Sequence, residues 1–245
     1  MSTQLSININ KFALIRNSRD ENRPNLLDIA HRCIQYGGGG ITVHPRPDQR
    51  HIRYSDLTPL SQLTKAYESV EFNIEGYPSD QFLKKIFQVK PDQVTFVPDP
   101  PDALTSSFGW NLKQFKGELS DLCNECQKLG IRSSLFISPE LKDLDLLHEI
   151  KPDRVELYTY DYAHHFSVNK EQAISPYKEV IDSLSKYSYI GINAGHDLNQ
   201  DNLAYFLDEI PVIKEVSIGH ALVCESIFDG LEHTIKTYSR LCYGK

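Results

Sequence analysis

The 245-residue sequence predicts an α/β fold, a single (β/α)8 TIM barrel occupying residues 1–245 as one catalytic domain. Three observations predict it. The length matches the roughly 250 residues typical of one such barrel. A short β-branched apolar run, a polar or glycine-rich turn and an amphipathic stretch recur eight times. The apolar runs also end in Asn, Glu or His in six of the eight units, and a barrel of this kind carries its chemistry at the C-terminal ends of its strands.

The first strand is predicted at Leu5–Ile9, followed by a polar loop. A helix over Leu26–Tyr36 then stops at Gly37-Gly38-Gly39-Gly40, since glycine is a natural helix end. The second strand is Ile41-Thr42-Val43, with a helix near Ser55–Tyr67. The third is Glu71–Ile74, with a helix over Ser79–Gln88. The fourth is Gln93–Val97; a Pro/Ser-rich loop leads to a helix over Leu112–Leu129 that Gly130 closes. The fifth strand is Ile131–Ile137, with a helix near Pro139–Glu149. The sixth is Arg154–Tyr158; a loop of Tyr, Asp and His precedes a helix over Lys170–Lys186. The seventh is Tyr189–Ile192, with a helix around Gln200–Leu207. The eighth is Glu215–Ile218, and one last helix runs from Leu222 to Arg240. Strands alternating with helices imply parallel pairing. The rival is an open doubly wound sheet. It lacks its usual support, because no GxGxxG or GxxxxGK[ST] occurs and Gly37–Gly40 precedes a strand instead of following one.

Composition narrows the function classes. Net charge is −7, which disfavours nucleic acid as the general partner. No run of about 18 apolar residues exists, so no membrane span is expected. Met1-Ser2-Thr3-Gln4 does not open a basic n-region with an apolar core, so no secretory signal is expected. Five cysteines without framework spacing imply reduced thiols in a cytoplasm. The Cys123-x-x-Cys126 pair has no second ligand pair and lies in a helical pattern, so it reads as helix packing. Residues 1–53 hold eight Lys/Arg against four Asp/Glu, a local cationic excess suited to a small anionic ligand.

The polar strand ends name the candidate site. They are Asn8, Asn10 and Lys11 after the first strand, and His44, Arg46 and His51 after the second. Glu75 follows the third, Glu156 lies on the sixth, and Asn193 to His196 and Gly219-His220 end the seventh and eighth. Converging on one rim, such groups can tune one another as acids and bases. Gly219-His220 before a helix start, and Gly195-His196-Asp197 after the seventh strand, offer free N–H groups to a phosphate. Arg16, Arg19, Arg46, Arg50 and Arg53 can grip phosphate oxygens, with Arg19 and Arg46 favoured. Thr105, Ser106 and Ser107 can donate hydroxyls to a sugar phosphate. Metal catalysis is not expected: the first strand ends Asn8-Ile9-Asn10 where barrel metallohydrolases have an HxH pair. No strand centre holds a Schiff-base lysine either, so the amine for imine chemistry would come from a substrate.

Seven segments together resemble the pyridoxine 5′-phosphate synthase family. They are ININ-K with LIRNSR (7–19), GITVHPRPDQRHI (40–52), FNIEG (72–76), VTFVPD (94–99), RVELYT (154–159), NAGHDLN (193–199) and SIGHAL (217–222). They run the length of the chain in family order. The resemblance implies condensation of 1-deoxy-D-xylulose 5-phosphate with 3-amino-2-oxopropyl phosphate to pyridoxine 5′-phosphate, inorganic phosphate and water, with no cofactor. It implies His44 and Glu75 as bases, His196 as proton donor and Glu156 as a transition-state stabiliser. It implies Asn10, Lys11, Arg46, His51 and Thr105 for the deoxyxylulose phosphate, and Asn8, Arg19, Asp197, Gly219 and His220 for the aminoketone phosphate. It further implies a homo-oligomer, an octamer built from dimers.

Two departures stand out. Many members read Asp-His where this chain has Asn10-Lys11, and some have glycine at Asp197. A carboxylate aimed at a phosphate is unfavourable, so Asp197 is expected to turn away and offer its backbone N–H. The alternatives are a barrel aldolase or isomerase acting on another sugar phosphate, which needs a strand lysine or metal, and a non-catalytic phosphometabolite-binding barrel, which has no use for His44, Glu75 and His196.

Overall fold

A computed structural model describes residues 3–99, 103, 106 and 108–244. Its elements run β1 (Gln4–Asn8), α1 (Asn10–Asn17), α2 (Leu26–Gln35), β2 (Gly40–Val43), α3 (Tyr54–Thr64), β3 (Glu71–Gly76), α4 (Asp80–Val89) and β4 (Gln93–Phe96). They continue α5 (Leu112–Leu129), β5 (Arg132–Ile137), α6 (Leu147–Ile150), β6 (Arg154–Tyr158), α7 (Tyr160–His165), α8 (Lys170–Leu184), β7 (Gly191–Gly195), α9 (Leu203–Glu209), β8 (Ile213–Ile218), α10 (His220–Asp229) and α11 (Leu231–Tyr243). Neighbouring strands pair in parallel in sequence order, and β8 pairs with β1 to close a (β/α)8 barrel.

Helix starts follow local chemistry. The side chains of Asn25, Ser79, Asn111 and Asn169 accept from N–H groups in the first turns of α2, α4, α5 and α8; such caps contribute about 1 kcal/mol each. Four elements differ from the sequence expectation. The stretch after β1 is helical: α1 buries Phe12, Ala13 and Arg16, so an arginine on the buried face masks its apolar stripe. The loop after β6 contains α7, which buries only Tyr162 and so shows no stripe. The predicted helix over 139–149 shrinks to a 3-10 turn and α6, because Asp143 takes a left-handed φ of 60°. Gly230, at φ 81°, divides the predicted last helix into α10 and α11. The strand β7 is also shifted to Gly191–Gly195. Asn, Ala and Gly have little strand preference of their own, and the segment is recruited by pairing Glu156 with Asn193 and Tyr158 with Gly195.

The alternation along the strands sorts two interiors. Leu5, Ile7, Ile41, Val43, Phe72, Ile74, Val94, Phe96, Val155, Leu157, Val216 and Ile218 are fully or almost fully buried and belong to one core with the helix faces. The other face of the strands points into the lumen, and there most side chains are polar, apart from a small apolar cluster of Val97, Phe136 and Tyr158. Ser6 and Thr42 share a hydroxyl hydrogen bond of 2.7 Å, Asn73 donates to Thr42 at 3.3 Å, and Thr95 donates to Asn73 at 3.2 Å. Barrels of this class more commonly fill the lumen with branched aliphatics. At the N-terminal floor the network becomes ionic. Arg132 forms a two-pronged pair with Glu71 and donates to Gln93 at 2.9 Å. Gln93 donates to Glu215 at 3.3 Å, and Arg154 donates to Asn193 at 2.7 Å. All five cysteines are free thiols; Cys123 and Cys126 are buried on α5, as helix packing requires. No helix among the described residues is long and apolar enough to cross a membrane.

Candidate active site

Above the polar lumen, at the C-terminal ends of the strands, lies a cavity of about 600 Å³. The ends of β1 and β2 are tied together first. Asn8 Oδ1 accepts from the N–H of Asn10 at 3.0 Å, and Asn10 Oδ1 accepts from the N–H of His44 at 2.9 Å. Both asparagines line the cavity with Lys11, which stands in the first turn of α1. The His44 imidazole is buried, with Nδ1 3.7 Å from Glu75 Oε2. Burial, with the cation of Arg46, holds His44 well below the usual imidazole range. Burial, with the neighbouring Glu156 carboxyl, pushes Glu75 well above the usual carboxylate range. A neutral imidazole therefore faces a carboxyl of raised proton affinity, which sets two groups able to exchange protons side by side.

Arg46 is buried in an ion pair with Asp99 Oδ2 at 2.8 Å, and Ser106 donates to the same oxygen at 2.6 Å. The other Asp99 oxygen is buried and meets no hydrogen-bond donor among the described residues. His51 accepts from the N–H of Ile52 through Nδ1 at 2.9 Å, leaving Nε2 as its donor in the neutral ring. Burial and Arg46 push His51 down to about 4. Lys11, Arg46, Arg50 and His51 thus border one cationic corner of the cavity.

Glu156 is buried on β6, within 3.4 Å of the Thr95 hydroxyl. Burial, then the Glu215 carboxyl below it, push it to about 8, so it is largely protonated at neutral pH. Gly195 makes room for it: a Cβ there would lie 2.3 Å from Glu156 Oε1. His196 follows with a left-handed φ of 86°. Its ring meets Tyr158 edge-on at 5.1 Å between centroids and Phe136 at 5.8 Å. Asp197 is also left-handed, at φ 56°. Its carboxylate stands beside the preceding imidazole at the cavity. It lies 3.7 Å from His196 Nδ1, where the imidazole holds it below the usual carboxylate range. Gly219 precedes α10, and His220 and Ala221 open that helix at the cavity edge. The first N–H groups of such a helix are free for an anion.

The structure thus brings His44, Glu75, Glu156, His196, Asn8, Asn10, Lys11, Arg46, His51, Asp197, Gly219 and His220 to one cavity. Arg19 is exposed beyond α1 and is not among the residues lining the cavity. Arg16, grouped with Arg19 as a phosphate candidate, is instead buried in a two-pronged pair with Asp56 at 2.8 and 2.9 Å. Thr105 and Ser107 lie outside the described residues. Sequence reasoning missed Tyr158 and Tyr160, whose rings stack at 5.8 Å on the cavity wall, and Ser217. Two of these were legible, since Tyr158 is two residues on from Glu156 and Ser217 two on from Glu215, hence on the lumen face. Among the described residues, no three His, Cys, Asp or Glu side chains are grouped to hold a metal ion.

Comparison with known proteins gives one family. The model of the pyridoxal phosphate biosynthesis protein PdxJ matches residues 5–244. A pyridoxine 5′-phosphate synthase of Parabacteroides distasonis is 50% identical over 96% of this chain and 97% of its own. That of Cytophaga hutchinsonii is 47% identical over 97% and 98%. Among solved structures, a 3-keto-L-gulonate-6-phosphate decarboxylase of Vibrio cholerae superposes with a TM-score of 0.65 over 98% of both chains at 10% identity. A tryptophan synthase alpha subunit of Legionella pneumophila gives 0.62 over 98% of this chain and 92% of its own at 15% identity. At such identities these two speak for the barrel alone.

Proposed function

The chain belongs to the PdxJ family, the pyridoxine 5′-phosphate synthases, and from that premise we propose that it condenses 3-amino-2-oxopropyl phosphate with 1-deoxy-D-xylulose 5-phosphate to pyridoxine 5′-phosphate, inorganic phosphate and water. The observation that carries the residue roles is the meeting of His44, Glu75, Glu156 and His196, from four separate strand ends, around one cavity of about 600 Å³. The substrate amine attacks the ketone of its partner, so no protein amine or cofactor is called for. Ring closure, loss of water and loss of phosphate then demand several proton transfers. Neutral His44 accepts a proton, and so does Glu75 once ionised, its raised affinity making it the stronger base. Protonated Glu156 donates a hydrogen bond to an oxygen gaining charge. His196 protonates leaving oxygens. The corner of Asn10, Lys11, Arg46 and His51, with Thr105, holds the deoxyxylulose phosphate. Asn8, Gly219 and His220 at the start of α10, with the backbone N–H of Asp197, hold the aminoketone phosphate; Arg19, exposed beyond α1, joins them only if its segment folds over the bound ligand.

The chain acts in the cytoplasm as a homo-octamer in this reading. The exposure of Ile227 (71%) and Phe228 (88%) on α10 favours burial of that face in self-assembly; light scattering of wild type and Phe228→Glu tests it. For the reaction, purified protein is incubated with both substrates while the absorbance of a pyridinol is followed. Product is expected, with turnover collapsing in Glu75→Gln and His44→Asn. Full turnover in both variants removes the assigned roles, and absence of product removes the reaction.

A further inference from the structure

His196 and Asp197 are two consecutive non-glycine residues in the left-handed region, at φ 86° and 56°. Side chains other than glycine adopt that region only where their surroundings hold them there. The restraint is visible in the carbonyls of the same corner. Thr159 donates its backbone N–H to the Gly195 carbonyl at 3.0 Å. Its hydroxyl lies 2.8 Å from the Gly195 carbonyl and 2.5 Å from that of His196, sharing one proton between them. Asn202 donates its amide to the Asp197 carbonyl at 3.3 Å. Three successive carbonyls are thus bonded by two side chains, of which Thr159 is fully buried and Asn202 only 2% exposed.

Thr159 occupies the N-cap position of α7, where a threonine hydroxyl ordinarily accepts from the first-turn N–H groups. It makes no such cap bond. The hydroxyl is directed sideways, to the corner that carries His196. Asn202 is itself fixed, its Oδ1 accepting from the Asn199 N–H at 2.9 Å and its carbonyl from the Tyr162 hydroxyl at 2.6 Å.

We propose that Thr159, seconded by Asn202, is a positioning residue that imposes the left-handed corner and thereby aims the His196 imidazole into the cavity. The proposal rests on the reading of His196 as the proton donor. Packing against Tyr158 and Phe136 sets the ring plane; the Thr159 hydroxyl sets the backbone from which the ring projects.

The test is steady-state kinetics on the intact enzyme. Thr159→Val keeps the shape and removes the hydroxyl, Thr159→Ser keeps the hydroxyl, and His196→Asn is run beside them. Thr159→Val is expected to lower kcat about 10- to 100-fold, the effect of a small misplacement of a reacting group, with both KM values within about twofold. Thr159→Ser restores most of kcat. Wild-type kcat in Thr159→Val beside an inactive His196→Asn overturns the proposal alone. Equal losses in the valine and serine variants overturn it too, since they mark a merely structural side chain. Full activity in His196→Asn overturns the reading on which it rests. If the valine variant does not fold, Asn202→Ala tests the other end of the corner: an unchanged kcat there is equally fatal, and a lowered kcat at constant KM supports the proposal.

Discussion

The floor and the rim of the barrel lumen are built from the same strands and the same alternation, and both bury polar groups. They differ in how those groups are used. At the floor, Arg132 grips Glu71, Gln93 spans Arg132 and Glu215, and Arg154 meets Asn193. At the rim, His44 and Glu75 stand 3.7 Å apart, as do His196 and Asp197, beyond direct hydrogen-bond reach. The floor pairs these side chains with one another and so adds order. The rim keeps donors and acceptors for a ligand. Displaced proton affinities occur in both, since burial also raises Glu215 at the floor to about 7, but at the rim the shifted groups face the cavity. Buried polar residues alone do not mark an active site; what marks it is capacity left unmatched within the chain.

The sharpest way to break the contrast is at the rim. Glu75→Gln is expected to lower turnover by about 10²- to 10⁴-fold while circular dichroism and melting temperature stay near wild type. A large stability loss with turnover retained would make Glu75 a floor-like residue. The reciprocal change at the floor is Arg132→Met, which leaves Glu71 without its partner. Unfolding free energy is expected to fall by on the order of 2 kcal/mol, between the values for exposed and buried pairs, with kcat of the folded enzyme within a few-fold; urea titration and kinetics together decide it.

Glu156 joins the two regions and gives a pH test. Its folded value of about 8 lies above the ordinary carboxylate value. The stability linked to it is complete below that ordinary range and is lost as pH rises toward about 8. The melting temperature of wild type should therefore fall more steeply between pH 5 and pH 9 than that of Glu156→Gln. Parallel slopes would show that the carboxyl is ionised throughout. The smallest effect is expected midway up the lumen. Thr42→Val removes the hydroxyl paired with Ser6 and should cost about 1 kcal/mol with little change in kcat.

Much of this was readable along the chain. Eight strand-and-helix units appear in order, because an apolar run flanked by turns is a local signal. Twelve of the fourteen expected site residues line one cavity, because strand ends in a closed parallel barrel share a rim. The helices α1 and α7 were illegible: a buried arginine in one and a single buried tyrosine in the other leave no apolar period. The true place of β7 was hidden for a related reason, since Asn193, Ala194 and Gly195 become strand only between β6 and β8. The Arg16–Asp56 pair spans 40 positions, and nothing local separates that arginine from its neighbours in the loop.

The sequence by itself determined the class of fold, the identity of the polar strand ends and the family, since each is a pattern carried by residue type and spacing. Only the tertiary structure decided which groups are proton-shifted, which cations are already paired, and how His196 is aimed. Those depend on burial and on partners far away in the chain, and a linear string holds neither distances nor dielectric surroundings.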